Sequence, residues 1–191
     1  SKQTFGIAKI YFETSYLMLQ YFPFETMRKT SQKYCCASDK ENIEDERFKE
    51  CTKVSWLVNI LILFITIPYW YIYVNFGENL YEHRFQMGLH LLCANIELFV
   101  EPITLYCNVK FFNNEKLIMI TLANYVRVFT TFILVIFFDM ELWAFTFARI
   151  LSSLIYVAYA LHVGYNQLNL NTSMIFPFLS SEKEDGEKKK F

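Results

Sequence analysis

Glu97 and Glu101 stand one helical turn apart, followed at once by Pro102, inside an otherwise apolar stretch running from Phe85 to Cys107. Two carboxylates at that spacing can hold a coupling ion, gate a wet cavity or anchor arginines. A charge at the centre of a bilayer costs on the order of 3 kcal/mol, so such residues face a protein interior or water and are functional candidates by default. Pro102 should kink the helix or free a carbonyl, a pattern found near polar sites in transporters.

Three further groups of polar residues resolve on a helical wheel. His90, Glu97 and Glu101 fall within a stripe about 40° wide, with Ala94 beside them. Thr121, Asn124, Arg127 and Thr131 share one face, and so do Arg149, Ser152, Ser153 and Tyr156. Lys9, Glu13, Tyr16 and Gln20 form a fourth line. Four stripes on four helices point to one shared polar interior. There Glu13, Glu97 and Glu101 can pair with Lys9, Arg127 and Arg149. Two readings are open: the pairs only hold helices together, or they line a hydrated cavity whose arginines attract an anion such as phosphate, which the guanidinium fork matches.

The elements that must position these residues are membrane helices. Apolar residues make up 54% of the chain and the mean hydropathy is +0.21, unusual for a soluble domain. The runs 54–74, 85–107, 117–138 and 142–163 each reach the roughly 20 residues that cross about 30 Å of hydrocarbon. A weaker run, 5–27, is broken by Lys9, Glu13, Gln20 and Pro23, and either spans or lies along the interface. The expectation is an all-α integral membrane protein of about five transmembrane helices. Residues 1–163 form the bundle with a charged cytosolic loop at 28–53, and 164–191 form a cytosolic tail or linker.

Lysine and arginine cluster in 28–53, at Lys110 and Lys116, and in the tail, which places those connections in the cytosol and the N-terminus in the lumen. The 28–53 loop, with a helix in Glu41 to Cys51, reads as a solvated connector or a headgroup- or partner-binding segment. Cys35, Cys36 and Cys51 then lie on the reducing side, where a structural disulfide is not expected, though palmitoylation is an alternative. Cys93 and Cys107 read as small apolar residues. Trp56, Trp70 and Trp143, with Tyr69, Tyr71 and Tyr73, fit the aromatic belts of a bilayer. His83 and His162 sit near span ends as interfacial residues. The sequon at Asn171 falls on the cytosolic tail and should be silent, and Lys188 to Lys190 read as a solvated charge run or a dilysine retrieval signal.

Soluble-enzyme signatures are lacking. The five glycines form no phosphate-cradling loop, there is no His-Glu-x-x-His, and no Ser, His and acid arrangement emerges. With the chain consumed by spans there is no room for a catalytic domain, so neither an enzyme nor a cofactor or metal is expected. No cleavable signal sequence precedes the first run, and a start at Ser1 suggests a fragment or processed product.

Several of these residues carry a family likeness. Ser1-Lys2, Gly6, Tyr16 and Glu25 with Arg28-Lys29 resemble the opening of the Rft family of endoplasmic-reticulum proteins of dolichol-linked oligosaccharide translocation. Ile96-Glu97-Leu98 followed by Glu101-Pro102 is similar to that family's Val-Glu-Leu-x-x-Glu-Pro. The order and length of the spans also match. The resemblance implies the N-terminal lobe of a two-lobed bundle like those of the multidrug, oligosaccharidyl-lipid and polysaccharide exporters, with one span before Ser1 and a second lobe after Phe191. It implies an endoplasmic-reticulum location, membrane lipid as surroundings, a dolichol-pyrophosphate oligosaccharide as the substrate moved for N-glycosylation, and no nucleic-acid partner. The implied substrate residues are Arg127 and Arg149 for the pyrophosphate, Glu97 and Glu101 for gating or sugar contacts, and His90, Asn124, Lys9, Glu13, Glu25 and Arg28 around them. Two positions depart from the family: Tyr11 and Phe24 stand where it carries arginines, so that charge is either lost or moved to Lys9.

Other readings are an ion-coupled small-molecule exporter using Glu97 and Glu101 as its ion site, and a scaffold of the glycosylation machinery that transports nothing. A membrane-embedded glycosyltransferase would have Asp139-Met140-Glu141 as its one acidic motif at a lumenal loop, and two acids on a short turn read as solvated. Oligomeric state has no signature in the sequence.

Overall fold

The computed structural model describes residues 6–35, 41–76, 81–168, 170, 175 and 176, and every regular element among them is helical. A π-helical segment, Ile7–Glu13, runs into α1, Thr14–Cys35. There follow α2, Glu41–Phe76, a short 3-10 turn, Tyr81–His83, and α3, Arg84–Leu98. The chain continues through α4, Glu101–Val109, α5, Asn113–Phe138, and α6, Glu141–His162, which ends in a π-helical turn, Val163–Gln167.

Among the described residues, three helices are long and apolar enough to cross a membrane: Glu46–Ile72, Asn113–Phe138 and Glu141–Asn166. The α3–α4 pair qualifies as a fourth if taken as one broken span, bent by 48°. Of the five expected spans, three are matched by such helices and a fourth, 85–107, by the bent pair. The first run is helical, and α1, which carries Glu25, Arg28, Lys29 and Lys33, is not among the helices that meet this measure.

In the 28–53 segment the helix expected over Glu41 to Cys51 lies within α2, and α1 continues to Cys35, so the segment's charges sit largely on helix. Tyr34 donates to Glu50 at 3.0 Å, and Arg47 donates to the Tyr34 carbonyl at 3.0 Å and lies over the Tyr34 ring. These contacts hold the two helix ends together. Cys35 and Cys51 are buried there with no disulfide between them, their sulfurs 3.9 Å apart, among Phe48, Leu105 and Val109. The start of the tail is also packed. Leu170 and Ile175 join a core of Val100, Ile103, Cys107, Met119 and Ala160, and the Trp56 indole donates to the Ile175 carbonyl at 2.8 Å. Gly164 permits this return, since a Cβ there would lie 2.9 Å from Ile103 Cδ1. Asn171, Cys36 and the terminal lysines lie outside the described residues.

The break between α3 and α4 follows from covalent structure. Pro102 has no N–H, so the carbonyl four residues earlier, on Leu98, loses its helical donor. Asn59, reaching over from α2, supplies one from Nδ2 at 2.8 Å. Pro102 itself sits in the first turn of α4, where its fixed φ is tolerated. In an apolar setting every freed backbone group needs such a replacement.

The helices pack with α6 against α5 and α3, and with α1 against α2, α3 and α4. A core of Phe12, Phe24, Ile62, Met87, Leu91, Leu98 and Leu142 joins α1, α2, α3 and α6. Phe24, one of the two departures from the family pattern, is fully buried in it, and Tyr11, the other, packs against it. An arginine at Phe24 would enter this apolar cluster, so the replacement is matched by its packing. Helix α5 is the outlier: only Met119 is buried, while Tyr125, Val128, Phe129 and Phe132 are exposed, as lipid contact would require.

Candidate functional site

The four polar stripes do meet, around a cavity of about 340 Å³. Its wall takes Glu13, Tyr16 and Arg28 from the first helical stretch and Glu97 from α3. Asn124 and Arg127 come from α5, and Arg149, Ser152 and Tyr156 from α6. Leu17, Ile120 and Ala123 give it an apolar edge. The spacing of Ile120, Ala123, Asn124 and Arg127 is that of one helix face, so α5 turns its single polar stripe inward.

Each carboxylate of the site has its own arginine. Glu97 Oε1 accepts from Arg149 Nη2 at 3.0 Å and from Ser153 Oγ at 2.5 Å, while Oε2 accepts from the Tyr16 hydroxyl. Arg149 lies flat over the Tyr16 ring, with Cζ 3.4 Å from its centre, a cation–π contact that is strongest when desolvated. The side chains of Arg149 and Glu97 are each about 8% exposed. Glu101 is held by a bidentate fork: Arg28 Nε and Nη2 donate to its two oxygens, each at 2.6 Å. Glu13 accepts a single 2.8 Å bond from Arg127 Nη1, and each side chain of that pair is 28% exposed.

The sequence expectations are sorted by this geometry. Glu97, Arg127, Arg149, Asn124, Glu13 and Arg28 all reach the cavity. Glu101 lies behind the wall, 3% exposed, and pairs with Arg28 rather than with Arg127 or Arg149. His90 shares the stripe of Glu97 but is buried against the Phe12 ring, 4.8 Å between centroids, and is not part of the wall. Glu25 pairs with Lys29 on the same helix at 3.1 Å, away from the cavity. The side chain of Lys9 lies outside the described residues.

The sequence reading missed Asn59, whose only signal was a lone amide in the apolar run 54–74, and the Arg28–Glu101 fork, because Arg28 stood among the implied substrate residues while the partners considered for Glu101 were Lys9, Arg127 and Arg149. Tyr156 has a structural task as well: its hydroxyl lies 3.1 Å from Thr104 Oγ1, joining α6 to α4.

Three guanidinium groups face three carboxylates, so the cluster carries no net formal charge. Attraction of an anion must therefore come from donors that can be freed, rather than from a positive field. Arg149 Nε is buried without a hydrogen-bond partner among the described residues.

The family model described as Rft protein matches residues 1–191 of the chain. No curated protein and no solved structure matches it.

Proposed function

The chain belongs to the Rft family, and from that membership we propose that it serves the translocation of a dolichol-pyrophosphate-linked oligosaccharide across the endoplasmic reticulum membrane for protein N-glycosylation. Family and apolar helices together support a membrane protein linked to glycosylation. The observation that carries the finer reading is the arginine-lined cavity, in which three guanidinium groups face one space with an apolar edge. A pyrophosphate needs forked donors, and a polyprenyl chain needs apolar surface beside them. Arg127 and Arg149 are the pyrophosphate residues in this reading, and Asn124 is a polar neighbour.

Glu97 and Glu101 act as anchors instead of gates, because their oxygens are committed to Arg149, Ser153, Tyr16 and Arg28. The same commitment counts against the ion-coupled exporter, which needs those two carboxylates open. The scaffold reading accounts for the buried pairs but gives the cavity no task. The chain works without a cofactor and is not an enzyme in this proposal, and its N-terminus is lumenal with the tail cytosolic.

The test is the lipid-linked oligosaccharide profile of cells lacking the full-length protein. The expected result is accumulation of the cytosolic-face intermediate, corrected by the wild-type gene and not by Arg127→Gln expressed at equal level. A normal profile in the null cells would overturn the proposal, and full correction by Arg127→Gln would favour the scaffold.

A further inference from the structure

The three arginines are not equally free to meet a ligand. Arg28 is fixed by two 2.6 Å bonds to one carboxylate. Arg149 is enclosed by Glu97 and the Tyr16 ring, and Glu97 is in turn saturated by Ser153 and Tyr16. Arg127 has one bond to Glu13, and both side chains line the cavity and remain partly exposed. A phosphate oxygen can take the place of Glu13 at Arg127 with less rearrangement than at either other pair.

That exchange has a charge consequence. Before it, three arginines balance three glutamates; after it, Glu13 is a bare carboxylate beside a phosphate, with Leu17 and Ile120 at the cavity edge. A neighbouring anion disfavours the charged form of a carboxylate. A proton on Glu13 removes that penalty and turns it into a donor toward the phosphate that displaced it. We infer that Glu13 is the displaceable counter-ion of the cavity, and that anion binding at Arg127 is accompanied by uptake of one proton by Glu13. This inference rests on the anion-binding reading above.

The other groups around Glu13 do not offer the same exchange. Tyr16 and Arg28 on α1, Glu97 on α3, and Arg149 on α6 are engaged with one another or with Glu101, and Tyr156 is engaged with Thr104. His90, on α3, packs on Phe12 behind the wall and is the rival titrating group.

The experiment uses the full-length protein in nanodiscs and, as probe, a short-chain polyprenyl diphosphate capped with one N-acetylglucosamine, whose two phosphate diesters carry no titratable proton near neutrality. Calorimetry of the wild type in buffers of different ionisation enthalpy counts the protons taken up, independently of any variant. One proton is expected, and zero overturns the inference. Affinity should rise by up to about tenfold per unit fall in pH, the linkage limit for one proton. Glu13→Gln should bind several-fold more tightly at neutral pH with a flat profile, and Glu13→Asp should keep the slope. Binding with an unchanged slope in Glu13→Gln, or a slope abolished by His90→Gln alone, sinks the role of Glu13 and leaves the anion site standing. Absence of binding by every form at every pH removes the anion site, and this inference with it.

Discussion

The deep wall of the cavity and its rim use the same residue types to different ends. In and behind the deep wall, where α3, α4 and α6 meet Tyr16 and Arg28 of α1, glutamates meet arginines at low exposure with every carboxylate oxygen occupied. At the rim, Glu13 and Arg127 meet through one bond and stay partly exposed. A buried charge pair contributes little net stability when intact but is costly to halve. An exposed pair is worth about 0–1 kcal/mol either way. The depth of a pair, more than the chemistry of its members, decides whether it is a strut or a site.

The largest test of that contrast is Glu97→Leu, which strands Arg149. A loss of about 3–5 kcal/mol in unfolding free energy is expected. It should be read as a lower thermal midpoint of the purified protein, with most of the loss recovered when Arg149→Met is added. Additive losses in the double variant would break the distinction. Arg28→Met should fall at the lower end of the same range, about 3 kcal/mol, since it leaves Glu101 buried and unpaired. Asn59→Leu is expected to cost about 1–3 kcal/mol by orphaning the Leu98 carbonyl, and hydrogen exchange should show the protection of α4 falling first. Glu13→Gln should move the midpoint least, by about 1 kcal/mol or less. A large destabilisation there would move the rim pair into the same class as the deep ones.

Much of the site was legible because helical periodicity is local. The stripes through Glu97, Arg127, Arg149 and Glu13 follow from residue spacing alone, and all four residues meet where the stripes said they should. The pairing was not legible, and the reason is the bend. A straight helix would keep Glu101 in line with Glu97 and offer both to the same neighbours. The break after Leu98 redirects the chain by 48°, so Glu97 meets α6 while Glu101 meets Arg28 of α1. His90 shows the converse error: it shares the stripe, yet one helix face carries both cavity wall and packed core along its length.

The fold was partly legible for similar reasons. Runs 54–74, 117–138 and 142–163 lie within helices long and apolar enough to span. In the 28–53 segment the helix over Glu41 to Cys51 was legible, whereas the continuation of the first helix to Cys35 was not, because high charge signals distance from hydrocarbon and says nothing of helix; Tyr34, Arg47 and Glu50 tie the two charged helix ends together. The packing of Leu170 and Ile175 was missed because isolated apolar residues carry no period.

The Asn59 amide also has a mechanical meaning. By donating to the carbonyl that Pro102 abandons, it pins α2 to the elbow of the α3–α4 pair at a point where the backbone would otherwise be free to flex. Glu97 and Glu101 fasten α6 and α1 to the two arms of that elbow. These four elements are therefore geared as one block, which α5 joins by packing along α6 and by reaching across the cavity through the Arg127 guanidinium to Glu13.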